Sequence, residues 1–190
     1  MKVTIYGGTN NKEYTKAEIA CSERLGTYLA SRGAQILTGA CRGFPRYVGR
    51  AAIAGGSTVI GYSPGIDEKD HIERFKFPLD GCTKIEFIGR DGMHMADNFL
   101  KRSMDMNDYA DICIALGGSW GTYTELLISF WYKKTIILVK GFGGAVEQFY
   151  NTYKFFDERE TNPAVHQGAE IIVVDSVDEV ISILESKKFS

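Results

Sequence analysis

The sequence predicts an α/β fold: one domain over residues 1–190, a doubly wound, mostly parallel sheet of about six to seven strands flanked by helices. Three observations predict it. Short apolar runs suited to buried strands alternate with segments of helical period. Each of the first three strands closes on a glycine-containing loop. The 190 residues, 44% hydrophobic and 24% charged, suit a single ordinary globular domain with a substantial core.

In chain order, Val3 to Tyr6 is a β-rich run that stops at Gly7-Gly8-Thr9-Asn10. From Glu13 to Arg32 the spacing is helical, with Ala17, Ala20, Cys21, Leu25, Tyr28 and Leu29 on one side and Gly33 as C-cap. Gln35 to Thr38 is the second strand, closed by Thr38-Gly39-Ala40-Cys41-Arg42-Gly43, and a helix follows from Pro45 to Ala54. Thr58 to Tyr62 is the third strand. Right-handed crossovers bring the loops of such strands to one edge of the sheet, where doubly wound folds bind ligands.

Residues 66–80 are charged, broken by Pro78 and without a clean period, and read as a mobile loop and candidate lid, with a plain surface excursion as the alternative. Lys84 to Ile88 is a short strand, and Met93 to Asn107 a helix carrying a methionine stripe suited to packing. Taken on spacing alone, Lys101-Arg102 on that helix is a solvated face. Thr135 to Val139 is another buried strand, ending in Gly141-Phe142-Gly143-Gly144, and a helix follows. Glu158 to Gly168 reads as a polar loop, Glu170 to Val174 as the last strand, and Val177 to Leu184 as the last helix, capped by Asp175 or Ser176.

The centre of the chain is Asp111 to Glu125. A buried strand, Ile112 to Leu116, breaks at Gly117-Gly118 into a helix that runs from Ser119 to Tyr132. A strand that ends on glycines at a helix N-terminus offers unpaired N–H groups and the positive end of the helix dipole to an anion, phosphate above all. Gly117, Gly118, Ser119, Gly121 and Thr122 make up that cradle, and Thr122 adds a hydroxyl donor. Glu125 follows Thr122 by about one turn. A carboxylate beside an anion cradle suits a site that also receives a cationic group or a proton in transit. Gly7, Gly8, Thr9, Gly39, Arg42 and Gly43 of the first two loops join it as candidate nucleotide-binding residues. The helix after Thr122 is apolar nearly all round, with Leu126, Leu127, Ile128, Phe130, Trp131 and Tyr132. In so short a chain that favours a homodimer through residues 122–132.

Composition narrows the classes. A net charge of −2 gives no global field for nucleic acid. No apolar run is long enough to span a membrane, and the opening residues lack the apolar core of a signal peptide, so a cytoplasmic protein is expected. Cys21, Cys41, Cys82 and Cys113 form no C-x-x-C pair, and His71, His94 and His166 share no ligand spacing, so neither a disulfide framework nor a metal site is expected, nor a cofactor. The first loop lacks Gly-x-Gly-x-x-Gly, which sets aside a dinucleotide dehydrogenase.

With Arg102, Gly118, Gly121, Thr122 and Glu125 in place, the chain resembles the Lonely Guy (LOG) family, also labelled lysine decarboxylase-like, within a wider Rossmann-type nucleotide-binding superfamily. The family motif is Pro-Gly-Gly-x-Gly-Thr-x-x-Glu, preceded by an Arg-Lys pair on the previous helix. An ungapped alignment puts Arg102 on the motif arginine and Glu125 on its glutamate. Gly117 stands where the family has Pro, Ser119 where it has Gly, and Ser103 where it has Lys. In these respects the chain is more similar to an uncharacterised bacterial branch and to proteins that resemble the molybdenum-cofactor carrier. No pyridoxal-phosphate lysine motif supports decarboxylation. The resemblance implies phosphoribohydrolysis, in which a nucleoside 5′-monophosphate loses its base and leaves ribose 5-phosphate, with Arg102 and Glu125 as catalytic residues. The alternative it carries is a non-catalytic binder or carrier of a nucleotide or molybdenum cofactor.

Overall fold

The computed structural model describes residues 1–8, 14–159 and 169–187. Seven strands form one sheet in the order β4-β3-β2-β1-β5-β6-β7, and every neighbouring pair is parallel. They are β1 (Lys2–Gly7), β2 (Gln35–Thr38), β3 (Val59–Ser63), β4 (Lys84–Phe87), β5 (Ile112–Leu116), β6 (Thr135–Val139) and β7 (Glu170–Val174). The helices among the described residues are α1 (Lys16–Ser31), α2 (Phe44–Ala54), α3 (Glu68–Glu73), α4 (Met95–Tyr109), α5 (Trp120–Trp131), α6 (Ala145–Asp157) and α7 (Val177–Ser186). A 3₁₀ turn over Lys140–Phe142 precedes α6.

Parallel strands need helical crossovers, which cover both faces of the sheet, so the central strands are mostly apolar, Thr4 of β1 being a buried exception. β5 is buried at every position. Its alternating side chains feed two cores. Ile112, Ile114 and Leu116 pack with Leu25 and Leu29 of α1, Val48 and Ala52 of α2, and Val180 and Leu184 of α7. Cys113 and Ala115 face the other way, with Met106 of α4, Leu126 of α5 and Phe149 of α6. The register that sets β1 beside β5 pairs Ile5 with Ile114 and Gly7 with Leu116. Strand order reverses there, so the carboxyl ends of β1 and β5, with Gly7-Gly8 and Gly117-Gly118, sit at the topological switch point.

Two local readings are corrected. The first helix begins at Lys16 rather than near Glu13, because Thr15 and Glu18 close a capping box: the Glu18 N–H donates to Thr15 Oγ1 at 3.2 Å and the Thr15 N–H to Glu18 Oε2 at 2.8 Å. Residues 66–80 are not loop throughout. They contain α3, whose N-cap Asp67 accepts from the Asp70 N–H at 2.7 Å. Of the two candidate caps of α7, Ser176 takes the place, accepting from the Glu179 N–H at 3.3 Å. The polar loop expected over 158–168 lies, beyond Arg159, outside the described residues. No helix among the described residues is long and apolar enough to cross a membrane.

Candidate functional site

Four helices are capped by their own side chains: α1 by Thr15, α3 by Asp67, α4 by His94 and α7 by Ser176. The three that follow β2, β5 and β6 at the switch-point edge have no side-chain cap. α2 and α6 spend their first amides on the loops. The Phe44 N–H donates to the Gly8 carbonyl at 3.2 Å, and the Ala145 N–H to the Gly118 carbonyl at 2.9 Å. α5 differs. Its first-turn N–H groups, those of Trp120, Gly121 and Thr122, donate to nothing among the described residues. These unpaired donors lie at the positive end of the helix, where the sequence places its candidate anion cradle.

The loops around α5 are tied together by backbone. Gly8 N–H donates to the Leu116 carbonyl at 3.1 Å, and Thr122 Oγ1 to the Gly7 carbonyl at 3.2 Å. The hydroxyl proton that the sequence offers to a ligand is thus held by the protein. Gly43 approaches Gly8 so closely that a Cβ would lie 1.7 Å from the Gly8 oxygen. Gly118 sits at φ +102°, and a Cβ there would lie 2.2 Å from Thr122 Oγ1.

Arg102 is not a solvated face. It is 5% exposed, and Glu125 on α5 is 8% exposed. Arg102 Nη2 donates to Glu125 Oε1 at 2.5 Å and Nη1 to the Gly39 carbonyl at 3.3 Å. Its Cζ lies 5.1 Å from the Phe99 ring centroid. Nε is buried and has no acceptor among the described residues, which leaves the guanidinium with donor capacity for a ligand. Burial pushes the Glu125 carboxyl above its ordinary value; the Arg102 charge and hydrogen bond oppose that shift. Behind the pair, Asn107 Nδ2 donates to Tyr6 Oη at 2.8 Å, and Ser129 Oγ donates to the Glu125 carbonyl at 2.9 Å. Burial, with Cys113 and Glu125 adding to it, raises the Tyr6 hydroxyl well above its ordinary value, so Tyr6 stays neutral.

A cavity of about 110 Å³ opens on this pair. Of the residues singled out from the sequence, Gly7, Gly39, Arg102, Ser119, Gly121, Thr122 and Glu125 line it. Gly118 and Ser119 also border a broader cleft of about 520 Å³ between α5 and α6, lined by Trp120, Tyr123 and Gln148. Gly8, Gly43 and Gly117 shape the loops without lining the cavity, Arg42 is exposed outside it, and Thr9 falls outside the described residues. Ile5, Tyr6, Pro45, Phe77 and Phe99 also line the cavity, and none carried a site signal in the sequence. Cys41 lines it as well. Burial pushes its thiol up to about 12, so it is no ready thiolate nucleophile.

Among solved structures, the chain is similar to TM1055, a structural-genomics target, at 22% identity and TM-score 0.74, covering 98% of this chain and 99% of that one. It is similar to the molybdenum cofactor binding protein of the phototrophic bacterium Rippkaea orientalis at 17% identity and TM-score 0.70, over 97% of this chain and 95% of the other. It also resembles DNA processing protein A of Helicobacter pylori, which binds single-stranded DNA, at 16% identity and TM-score 0.66, over 98% of this chain and 80% of that one. At these identities the likeness establishes the fold. No curated protein sequence matches. The family read from Arg102 to Glu125 is borne out, and the likeness to molybdenum-cofactor carriers is one of fold. A family model matches residues 1–181, and the chain belongs to the SLOG cluster4 family.

Proposed function

We propose that the protein is a nucleoside 5′-monophosphate phosphoribohydrolase, a nucleotide N-glycosidase that releases free base and ribose 5-phosphate. The observation that carries this reading is the buried Arg102–Glu125 pair set beside the unpaired amides of α5. The amides of Trp120, Gly121 and Thr122 hold the 5′-phosphate, which positions the ribose without taking part in chemistry. Cleavage of an N-glycosidic bond builds positive charge on the ribose and negative charge on the base. Glu125 stabilises the ribose cation and takes the proton of the water that adds to C1′. The electron pair of the breaking C–N bond stays with the base, which Arg102 stabilises through its remaining donors until the base is protonated. A carboxyl held above its ordinary value by burial suits this exchange of protons. Hydrolysis needs only water as co-reactant, so the reading calls for no cofactor. It takes a small phosphorylated molecule as ligand, since a net charge of −2 gives no electrostatic footprint for nucleic acid.

A second reading, a non-catalytic carrier of a nucleotide or molybdenum cofactor, is favoured by Ser103. It stands where the Lonely Guy motif has lysine, and its Oγ donates to the Phe99 carbonyl at 3.0 Å, so position 103 supplies no cation beside Arg102. The test is base release from a panel of nucleoside 5′-monophosphates, run beside thermal-shift titrations with the same nucleotides and with pterins. Free base supports the first reading; stabilisation without base release supports the second.

The reading includes a homodimer through α5. Trp120, Leu127 and Trp131 fall on one face of the helix, 85%, 39% and 65% exposed, and Leu100 and Met104 of the neighbouring α4 are exposed too.

A further inference from the structure

Residues 66–80 reach the site through Phe77, and one buried imidazole anchors that segment. His71, on α3, is 0% exposed. Its Nε2 lies 3.4 Å from the Pro78 carbonyl and its Nδ1 2.8 Å from Ser63 Oγ at the end of β3. A carbonyl only accepts, so Nε2 carries the proton, and Nδ1 accepts from the Ser63 hydroxyl. Ser63 Oγ accepts in turn from the Gly65 N–H at 2.9 Å. Each partner is satisfied while the ring is neutral. The backbone adds a further tie, since the Phe77 N–H donates to the His71 carbonyl at 3.1 Å.

A continuous line of rings runs from this point to the Arg102–Glu125 pair. His71 meets Phe77 at a centroid distance of 5.6 Å, and Phe77 stacks on Phe75 at 5.7 Å. Phe75 meets Phe99 edge-on at 5.7 Å, and Phe99 carries the Arg102 guanidinium. Phe77 and Phe99 are themselves walls of the cavity.

We propose that His71 is a positioning residue of the candidate site: its uncharged ring fastens the segment after α3 to the end of β3 and holds Phe77 against the cavity, and its protonation releases that wall. A second ring proton would turn Nδ1 from acceptor to donor, and the hydroxyl proton of Ser63 would lose its acceptor and have to turn away. The groups packed on the ring are uncharged: Ser63 from β3, Phe87 from β4, and Phe77 and the Pro78 carbonyl from the following segment. Glu68, on the same helix, is the charged group that favours the imidazolium. Burial outweighs it and lowers the imidazole below its ordinary value of 6.5. Because the folded value lies below the unfolded one, the latch contributes fully above pH 6.5 and is lost as pH falls through the folded value. The inference rests on the geometry of the wall, whichever reading of the ligand holds.

The test is hydrogen–deuterium exchange of the ligand-free protein at about pH 7.5 and about pH 5.5, with rates corrected for intrinsic exchange, read on peptides covering 66–80 and the Phe77 amide. The expected result is exchange about ten-fold faster in that segment at the lower pH, with β1, β5 and α1 unchanged. His71→Gln, which keeps a donor for Pro78 but cannot titrate, should exchange at one corrected rate at both pH values. Ser63→Ala, a second variant, should exchange faster in that segment already at the higher pH. Equal protection of the wild type at both pH values, or the same acid loss in His71→Gln, overturns the proposal.

Discussion

Arg102 lies against Gly39 so closely that a Cβ at Gly39 would sit 2.9 Å from Nη1 and 3.1 Å from Cζ, while Nη1 donates to the Gly39 carbonyl at 3.3 Å. The loop after β2 and the helix before β5 therefore share one fit. Gly39→Ala must shift the guanidinium against Glu125. Overpacking of this kind costs about 1–3 kcal/mol, and loss of the pair's geometry should lower base release or ligand affinity by at least about ten-fold. Thermal unfolding and a nucleotide assay on the same sample check both.

Gly118 and Gly121 should separate folding from binding. At Gly118 an added Cβ meets Thr122 Oγ1 at 2.2 Å and the φ of +102° is strained for any side chain. Gly118→Ala should lose about 2 kcal/mol or more of stability. At Gly121 a Cβ meets nothing within 4 Å. Gly121→Ala, in the first turn of α5, should keep or slightly raise the melting temperature, by up to about 1 kcal/mol, yet crowd an anion on the amides. Phosphate binding by calorimetry, with melting curves, distinguishes the two.

Removing Arg102 should make stability depend on pH in a particular direction. The Glu125 carboxyl is already raised by burial, and the guanidinium opposes that shift. In Arg102→Met the folded carboxyl lies still further above its unfolded value. A group raised on folding contributes stability below its unfolded value and loses it as pH rises through the folded one. The variant should therefore melt progressively lower than wild type from about pH 5 to pH 8, with a loss of about 3–5 kcal/mol typical of a broken buried pair. Denaturant titrations across that range give the comparison.

Trp131→Glu on the exposed face of α5 should yield a monomer if α5 is the dimer contact. Light scattering of wild type beside the variant reads this directly, and a wild-type monomer at working concentration would remove the dimer from the reading.

Much of this fold was legible because the strands are short apolar runs bounded by glycine or polar turns. β2, β5, β6 and β7 begin and end where the pattern does. α3 was not legible. Glu68–Glu73 has a single large apolar residue, Ile72, so no period announces it, and its start rests on the cap made by Asp67. In the site, Glu125 and the α5 cradle stood out because their spacing is local. Arg102 needed the family alignment, since its burial depends on Gly39, 63 residues away. Tyr6 is set by a crossover, as in the bond from Asn107 to Tyr6 across 101 residues, while the His71 latch rests on side-chain contacts with Ser63, Phe77 and Pro78 in an irregular segment, and no period encodes either.

The central claim is that Glu125 and Arg102 together break an N-glycosidic bond. Base release from nucleoside 5′-monophosphates, followed for wild type, Glu125→Gln and Arg102→Ala, tests it most directly. The account predicts free base and ribose 5-phosphate from wild type, with release reduced by at least about a hundred-fold in each variant. Nucleotides or pterins that raise the melting temperature of the wild type while no base appears would contradict it, and Glu125 would then serve only to hold Arg102 in place.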